Sequence, residues 1–428
     1  MSAASVEIKG WCPGARRPMQ SGDGLIVRVR PHGGSLPVAA LAQLADAAAR
    51  FGNGQIDLTR RANLQIRGVS SQTLAPLWDL LASLDLLDDS ADTEAIRNIA
   101  INPLAGLDPT ELADLRPVAS ALEALLATEA ALRALPGKFA FAIDGGGLLP
   151  LIALDADIRL TACRVDSEIR IAIGLSATSG VQWLGATSPA AAAATAVRVA
   201  RAVLAQSASG RAQALSLDSV AAVRADLGLR PMPVRMINSG DAASPQRGPL
   251  TLANGGHVVG LGAAFGRLDS ETLGQLSREF MRLGVAAVRM SPWRTLYAGV
   301  PNPMSGEELI ATARRIGLVV DDADPLVRID ACSGAGCCQS TILATRDHAR
   351  ALAATAGRGG FAGTVHVSGC AKGCARSAGA DLVLVGAGDR YRVIRNGTVR
   401  DDALFDLDPT EIATAAYDLL NNDRAAHV

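Results

Sequence analysis

Five of the chain's seven cysteines lie between Asp330 and Ser377, at spacings that suit a metal centre. Cys332 and Cys338 flank Ser333-Gly334-Ala335-Gly336-Cys337, and Cys370 and Cys374 flank Ala371-Lys372-Gly373. Small residues between the thiols leave room for a bulky inorganic group, and the free backbone N–H groups there can hydrogen-bond its sulfurs. Where thiols stay reduced, four clustered cysteines point to a metal before a disulfide framework. Zinc favours closer, symmetric pairs. The wider first pair suits a 4Fe-4S cube held by four thiolates. The competing reading, buried free thiols, fits poorly with cysteines placed in loops rather than on apolar faces. Cys337 stands beside Cys338, and either could reach the cluster. Cys163, on an apolar strand, reads as core.

The elements that position these thiols read as an α+β chain built twice. At 428 residues it is too long for one core. Hydrophobic content of 49% and charged content of 19% mark a globular protein. A net charge of −1 gives no electrostatic support to nucleic-acid binding, so any anionic ligand must be met by local arginines. The most apolar tract, Pro189 to Ala205, carries Arg198 and Arg201 and reads as a helix capped by Ser188, not a membrane span. The first residues lack the apolar stretch of a signal peptide, so the chain reads as cytoplasmic.

Gly24 to Arg30 alternates apolar residues with Arg28 and Arg30, as a strand does; a helix is expected over Leu36 to Arg50, then a strand, then a helix over Leu74 to Leu86. The same β-α-β-α order recurs over 258–316, with Leu36 matching Leu268 and Gly52 matching Gly284, each 232 residues on. Both repeats put an arginine-bearing turn after the second strand, at Thr59-Arg60-Arg61 and Ser291-Pro292-Trp293-Arg294. A duplication explains this, and each repeat is followed by a larger α/β region. Further expectations are a helix over Ser340 to Ala356, a Ser305–Glu308 capping box, an Asn396-Gly397 hairpin turn, and a linker between 210 and 250.

The whole chain resembles the sulfite/nitrite reductase group, and within it most resembles the precorrin-3B synthase family of aerobic cobalamin synthesis. The cysteine pairs match that group's cluster ligands, with the family spacing favouring Cys338 over Cys337. Thr59-Arg60-Arg61-Ala62-Asn63-Leu64-Gln65-Ile66-Arg67-Gly68 is similar to its Thr-x-Arg-x-Asn-x-Gln-x-Arg-Gly signature, and Arg97-Asn98 to its second arginine site. Cys12-Pro13-Gly14 with Ser21-Gly22-Asp23-Gly24, and Ser368-Gly369-Cys370-Ala371-Lys372, are closer to the precorrin enzymes. The anion reductases carry Lys-x-Lys where this chain has Lys138-Phe139-Ala140, so one of two proton donors is missing.

The resemblance implies an internally duplicated, pseudo-twofold fold. Two ferredoxin-like half domains (1–88 and 246–322) would alternate with two larger α/β cofactor domains, a substrate cradle without a cluster (89–245) and a 4Fe-4S cluster domain (323–428). It implies O2-dependent monooxygenation of precorrin-3A at a meso carbon with lactone formation, the cluster relaying electrons from a separate NADH-dependent donor. It also implies a mononuclear non-haem iron. Arg61, Arg97 and Lys138 would be catalytic, while Arg60, Asn63, Gln65, Arg67 and Arg294 would bind the carboxylate-fringed tetrapyrrole by charge-assisted pairing. The five histidines have no spacing that identifies iron ligands. The alternative is a sirohaem-dependent sulfite or nitrite reductase. A plain electron-transfer subunit would need no arginine cradle.

Overall fold

The computed structural model of the protein describes residues 11–177, 180–231, 246–359 and 362–421. Within the linker expected between 210 and 250, residues 232–245 lie outside the described residues, as does His427, while Leu217–Asp226 is a helix and Gly248–Thr251 a strand. The described chain forms four five-stranded sheets.

The two small sheets belong to the two repeats, and each borrows a strand from the other. The first orders Met19–Ser21, Gly24–Val29, Leu64–Val69 and Gln55–Leu58, and is completed by Arg267–Asp269 from the second repeat. The second orders Gly248–Thr251, His257–Gly262, Thr295–Val300 and Ala287–Met290, and is completed by Ser35–Pro37 from the first. Leu268 pairs with Ile56 and Leu36 with Val288, so the exchange is reciprocal and in the same register. Left-handed residues make each crossing, Gly33 and Gly34 in one repeat and Phe265 and Gly266 in the other.

The helices Val38–Phe51 and Ser270–Arg282 bury apolar stripes at helical spacing: Leu41, Leu44 and Ala48 on one, Leu273, Leu276 and Phe280 on the other. They pack on each other in one core shared by both repeats. The exchange has no signal in the sequence, because a three-residue strand is too short to show alternation.

The two larger sheets have one topology. Ile99–Ile101, Phe141–Asp144 and Ile158–Val165 run parallel, followed by antiparallel Glu168–Ala177 and Gly180–Thr187. Ile329–Ala331, Val365–Ser368 and Ala380–Ala387 run parallel, followed by antiparallel Arg390–Gly397 and Phe405–Leu407. Helices Arg116–Thr128 and Pro189–Gln206 cover the first sheet, and Thr345–Gly359 and Ile412–Asn421 the second, each over its own core. Ser188 caps Pro189–Gln206 as expected. Among the described residues no helix is long and apolar enough to cross a membrane.

Three local expectations are corrected. The helix expected from Ser340 starts at Thr345, because the Leu343 carbonyl accepts from Ala335 N–H and holds the preceding residues in the cysteine loop. The helix Pro303–Arg315 is capped by Asn302, whose side chain accepts from Ser305 N–H, and not by Ser305. The hairpin turn falls at Gly388-Asp389, while Asn396-Gly397 closes a strand.

The crossing at Gly266 is sterically unforgiving. Its φ is +76°, and an added Cβ would sit 2.4 Å from the Leu58 carbonyl oxygen. Gly266→Ala is expected to destabilise the protein by about 2–3 kcal/mol. Gly255→Ala, also left-handed but in open space, should cost about 1 kcal/mol. Denaturant midpoints of the two variants check this, and equal shifts would contradict it.

Candidate functional site

Parallel pairing of Ile329–Ala331 with Val365–Ser368 brings both cysteine loops to the same sheet edge. Cys332 N–H continues the ladder to the Val367 carbonyl at 3.2 Å. The loops turn through left-handed Gly334, Gly336 and Gly373. They are tightly apposed: a Cβ on Gly369 would lie 2.4 Å from Thr341. The Cys332 sulfur accepts from Gly369 N–H at 3.2 Å and the Cys338 sulfur from Ser340 N–H at 3.4 Å. Burial pushes the Cys370 and Cys374 thiols up, and the nearness of Cys332 and Cys338 adds to the shift of both. Four thiols in two apposed small-residue loops, with backbone donors on the sulfurs of Cys332 and Cys338, form a donor set that fits an iron–sulfur cluster.

Cys337 faces the other way. Its carbonyl accepts from Ser21 Oγ at 2.7 Å and Arg67 Nη2 at 3.0 Å, and its sulfur lies 3.7 Å from Arg267 Nη1. The thiol grouped with the other three is Cys338.

Against these loops lies the outer face of the first small sheet. Its inner residues, including Val27, Ile56 and Ile66, enter the shared core, so strand alternation turns Arg28, Asp57, Gln65, Arg67 and Arg267 outward. Burial opposes ionisation of Asp57, but Arg346, Arg267 and Arg67 together hold its carboxyl below the usual carboxylate range. A second carboxylate, Asp330, gathers Arg294 at 3.0 Å, Arg376 at 3.2 Å and half-exposed Arg60 at 3.5 Å. Arg28 is 6% exposed, and burial with neighbouring Arg30 pushes it down to about 10. The Gln65 amide oxygen, in the orientation that satisfies both groups, accepts from Arg28 Nη2 at 2.9 Å. Arg28 Nη1, Arg346 Nη1 and His366 Nε2 are buried without a partner. Unpartnered buried guanidinium N–H groups fit an anionic ligand.

The sequence-expected residues divide into two groups. Arg61 donates to the Lys138 carbonyl at 3.2 Å, and Lys138 is exposed beside it. Asn98 donates to the carbonyls of Gly137 and Phe139, fixing the backbone around that lysine. Arg60 and Arg294 meet at Asp330. Arg67 and Arg97 are committed within the protein: Arg67 to Asp23, Asp57, Ser21 and the Cys337 carbonyl, Arg97 to Asp88 at 2.7 Å and the Arg30 carbonyl. Asn63 is buried in the Thr59 turn, where its N–H donates to Thr59 Oγ1. Ala140 is buried in a small apolar cluster with Ala100, Ala142, Leu151 and Ala156, against which Trp293 packs, so a lysine there would have to enter an apolar core. Sequence reasoning missed Arg28, Asp57, Arg267, Asp330, Arg346 and Arg376. The signal for Arg28 was its place on the basic side of an alternating strand, and for Asp57 its place as an acid among apolar strand residues.

Residues 17–84 match the model of the nitrite/sulfite reductase ferredoxin-like half domain. The chain is 35% identical over 412 residues to a precorrin-3B synthase from Sinorhizobium sp, covering 91% of this chain and 83% of the relative. The chain belongs to the precorrin-3B synthase family. That family shares the wider superfamily's scaffold: the Mycobacterium tuberculosis NirA structure superposes with a TM-score of 0.70 at 19% identity, covering 94% of this chain and 82% of that one. A ferredoxin–nitrite reductase from Synechococcus elongatus is 34% identical over 135 residues, 30% of this chain and 26% of that protein. Full-length similarity therefore runs to the precorrin-3B synthase, and similarity to the nitrite reductase is partial.

Cys338→Ser is expected to abolish cluster loading and Cys337→Ser to leave it near wild type, measured as iron and acid-labile sulfide after anaerobic reconstitution. The reverse pattern would contradict the assignment.

Proposed function

We propose that the protein is an oxidoreductase that converts precorrin-3A to precorrin-3B with O2, acting in the cytoplasm in aerobic cobalamin synthesis. The observation that carries this reading is the full-length similarity to a precorrin-3B synthase, on a chain whose arginine face keeps unpartnered donors beside four grouped thiols. The product gains one oxygen atom, as a meso hydroxyl with an acetate closed into a lactone. The second atom of O2 leaves as water, and two electrons with two protons balance the reaction. A 4Fe-4S cluster on Cys332, Cys338, Cys370 and Cys374 would relay those electrons singly from a separate NADH-dependent donor.

The chain's own residues do the rest. Arg28, Arg60, Arg61 and Arg294 bind and orient the carboxylate fringe, with Gln65 and Asn63 adding neutral contacts. Lys138, exposed between the Gly137 and Phe139 carbonyls that Asn98 binds, orients a carboxylate or supplies a proton. Arg67 and Arg97 act through their internal partners as positioning residues. Among the described residues no group of three or more His, Cys, Asp or Glu side chains is placed to hold a single metal ion. The residues described thus do not form a site for the mononuclear iron, and no step is routed through it.

The alternative, sirohaem-dependent sulfite or nitrite reduction, has the fold in its favour and Ala140 against it. A six-electron reduction consumes many protons, and the second lysine that would help deliver them is replaced by an alanine buried in an apolar cluster.

With precorrin-3A, O2 and a reduced donor, the reconstituted protein should yield a product heavier by one oxygen atom. Arg61→Ala and Lys138→Ala should each lower kcat/KM roughly ten- to a hundred-fold, the worth of a charge-assisted hydrogen bond. Reduction of sulfite or nitrite without oxygen incorporation would overturn the proposal.

A further inference from the structure

The helix Thr345–Gly359 starts directly after the first cysteine loop, and its second residue is Arg346. Arg346 Nε donates to the Cys332 carbonyl at 3.2 Å. Its Nη2 lies 3.6 Å from Asp57 Oδ1, and its Nη1 is buried with no partner. Two other guanidiniums share the pocket. Arg267, delivered by the exchanged strand, grips Asp57 through Nε at 2.5 Å and Nη2 at 3.1 Å and places Nη1 against the Cys337 sulfur. Arg67 grips Asp23 at 2.7 Å, reaches Asp57 at 3.3 Å, and donates to the Cys337 carbonyl.

These contacts leave one charge unmatched. Asp23 answers Arg67, and Asp57 is already held by Arg267 at two points. Three guanidiniums face two carboxylates, and the cation with the poorest partner touches the cysteine loop itself. Arginine cannot shed its proton to escape this cost. An uncompensated buried cation is strongly destabilising unless an anion stands nearby. Four thiolates around an iron–sulfur core are such an anion, and a fixed positive charge beside a redox centre favours its reduced, more negative form.

We propose that Arg346 is a positioning residue that raises the reduction potential of the cluster, with Asp57 opposing it and Arg267 and Arg67 holding Asp57 in place. The inference rests on the reading that Cys332, Cys338, Cys370 and Cys374 hold the cluster. It also gives the strand exchange a role at the metal centre: Arg267 comes from the second repeat, Asp57 from the first, and Arg346 from the cluster domain.

The test is a spectroscopic redox titration of the reconstituted full chain. Arg346→Gln should lower the midpoint potential, and Asp57→Asn should raise it. Arg346→Lys, which keeps the charge, should stay close to wild type. Arg350→Gln, an exposed arginine further along the same helix that stacks on Phe265, should not move it. Opposite shifts in the first two variants cannot come from general loosening of the loop. Unchanged potentials, or shifts of the same sign, would overturn the proposal. If Arg346→Gln fails to load, the sign of the Asp57→Asn shift decides it. If the wild type itself takes up no cluster, the reading of the cysteines is what fails.

Discussion

A buried guanidinium cannot neutralise itself by losing a proton, so each one in this protein needs an anion. That constraint organises the centre of the molecule. Glu94 answers Arg30 at 2.6 Å, Asp88 answers Arg97, and Asp57 and Asp330 each gather three arginines from different parts of the chain. Asp330 ties the sheet of the cysteine loops to both small-sheet turns, and Asp57 ties it to the exchanged strand. Among the buried guanidinium donors left without a hydrogen-bond partner are Arg28 Nη1 and Arg346 Nη1, for which an anionic ligand would supply the missing charge.

The same scaffold, built twice, shows what the cysteines add. Asn102 N–H donates to the Ile143 carbonyl just as Cys332 N–H donates to that of Val367, so Asn102 stands where Cys332 does. In the first half the loops close on themselves. Asn102 donates to Asp144 at 3.1 Å and to the Leu148 carbonyl, while Asp144 accepts from Gly146 and Leu151 N–H. That network satisfies its own polar groups. The second half has thiols there instead, and its loops present sulfur. The pseudo-twofold relation extends to the backbone: Ala62 and Arg294, at equivalent places after their strands, are both left-handed, with φ of 53° and 58°. In one repeat that position is an alanine; in the other it puts an arginine on Asp330.

Chemistry carried by short stretches of sequence was legible. The cysteine spacings, the Thr59 to Gly68 signature and the 232-residue repeat could be read because each is local or exactly periodic. What sequence did not show is where a charge goes. Arg67 and Arg97 carry family-like motifs, yet their nearest partners, Asp23, Asp57 and Asp88, give no sign in sequence of which arginine they will meet. The strand exchange was hidden because Ser35–Pro37 is too short for a period and continues directly into a helix. The residues alone leave Cys337 and Cys338 open and only the family spacing favours Cys338; the structure separates them by their partners, Arg267 for one sulfur and Ser340 N–H for the other.

The central claim is that the arginine face receives a tetrapyrrole as a substrate and does not retain one as a cofactor. The direct measurement is the visible and EPR spectrum of anaerobically purified protein, with iron, sulfide and extractable tetrapyrrole quantified. The account predicts about four irons and four sulfides of cluster origin and no tightly bound sirohaem. A strong Soret band with stoichiometric extractable sirohaem would contradict it.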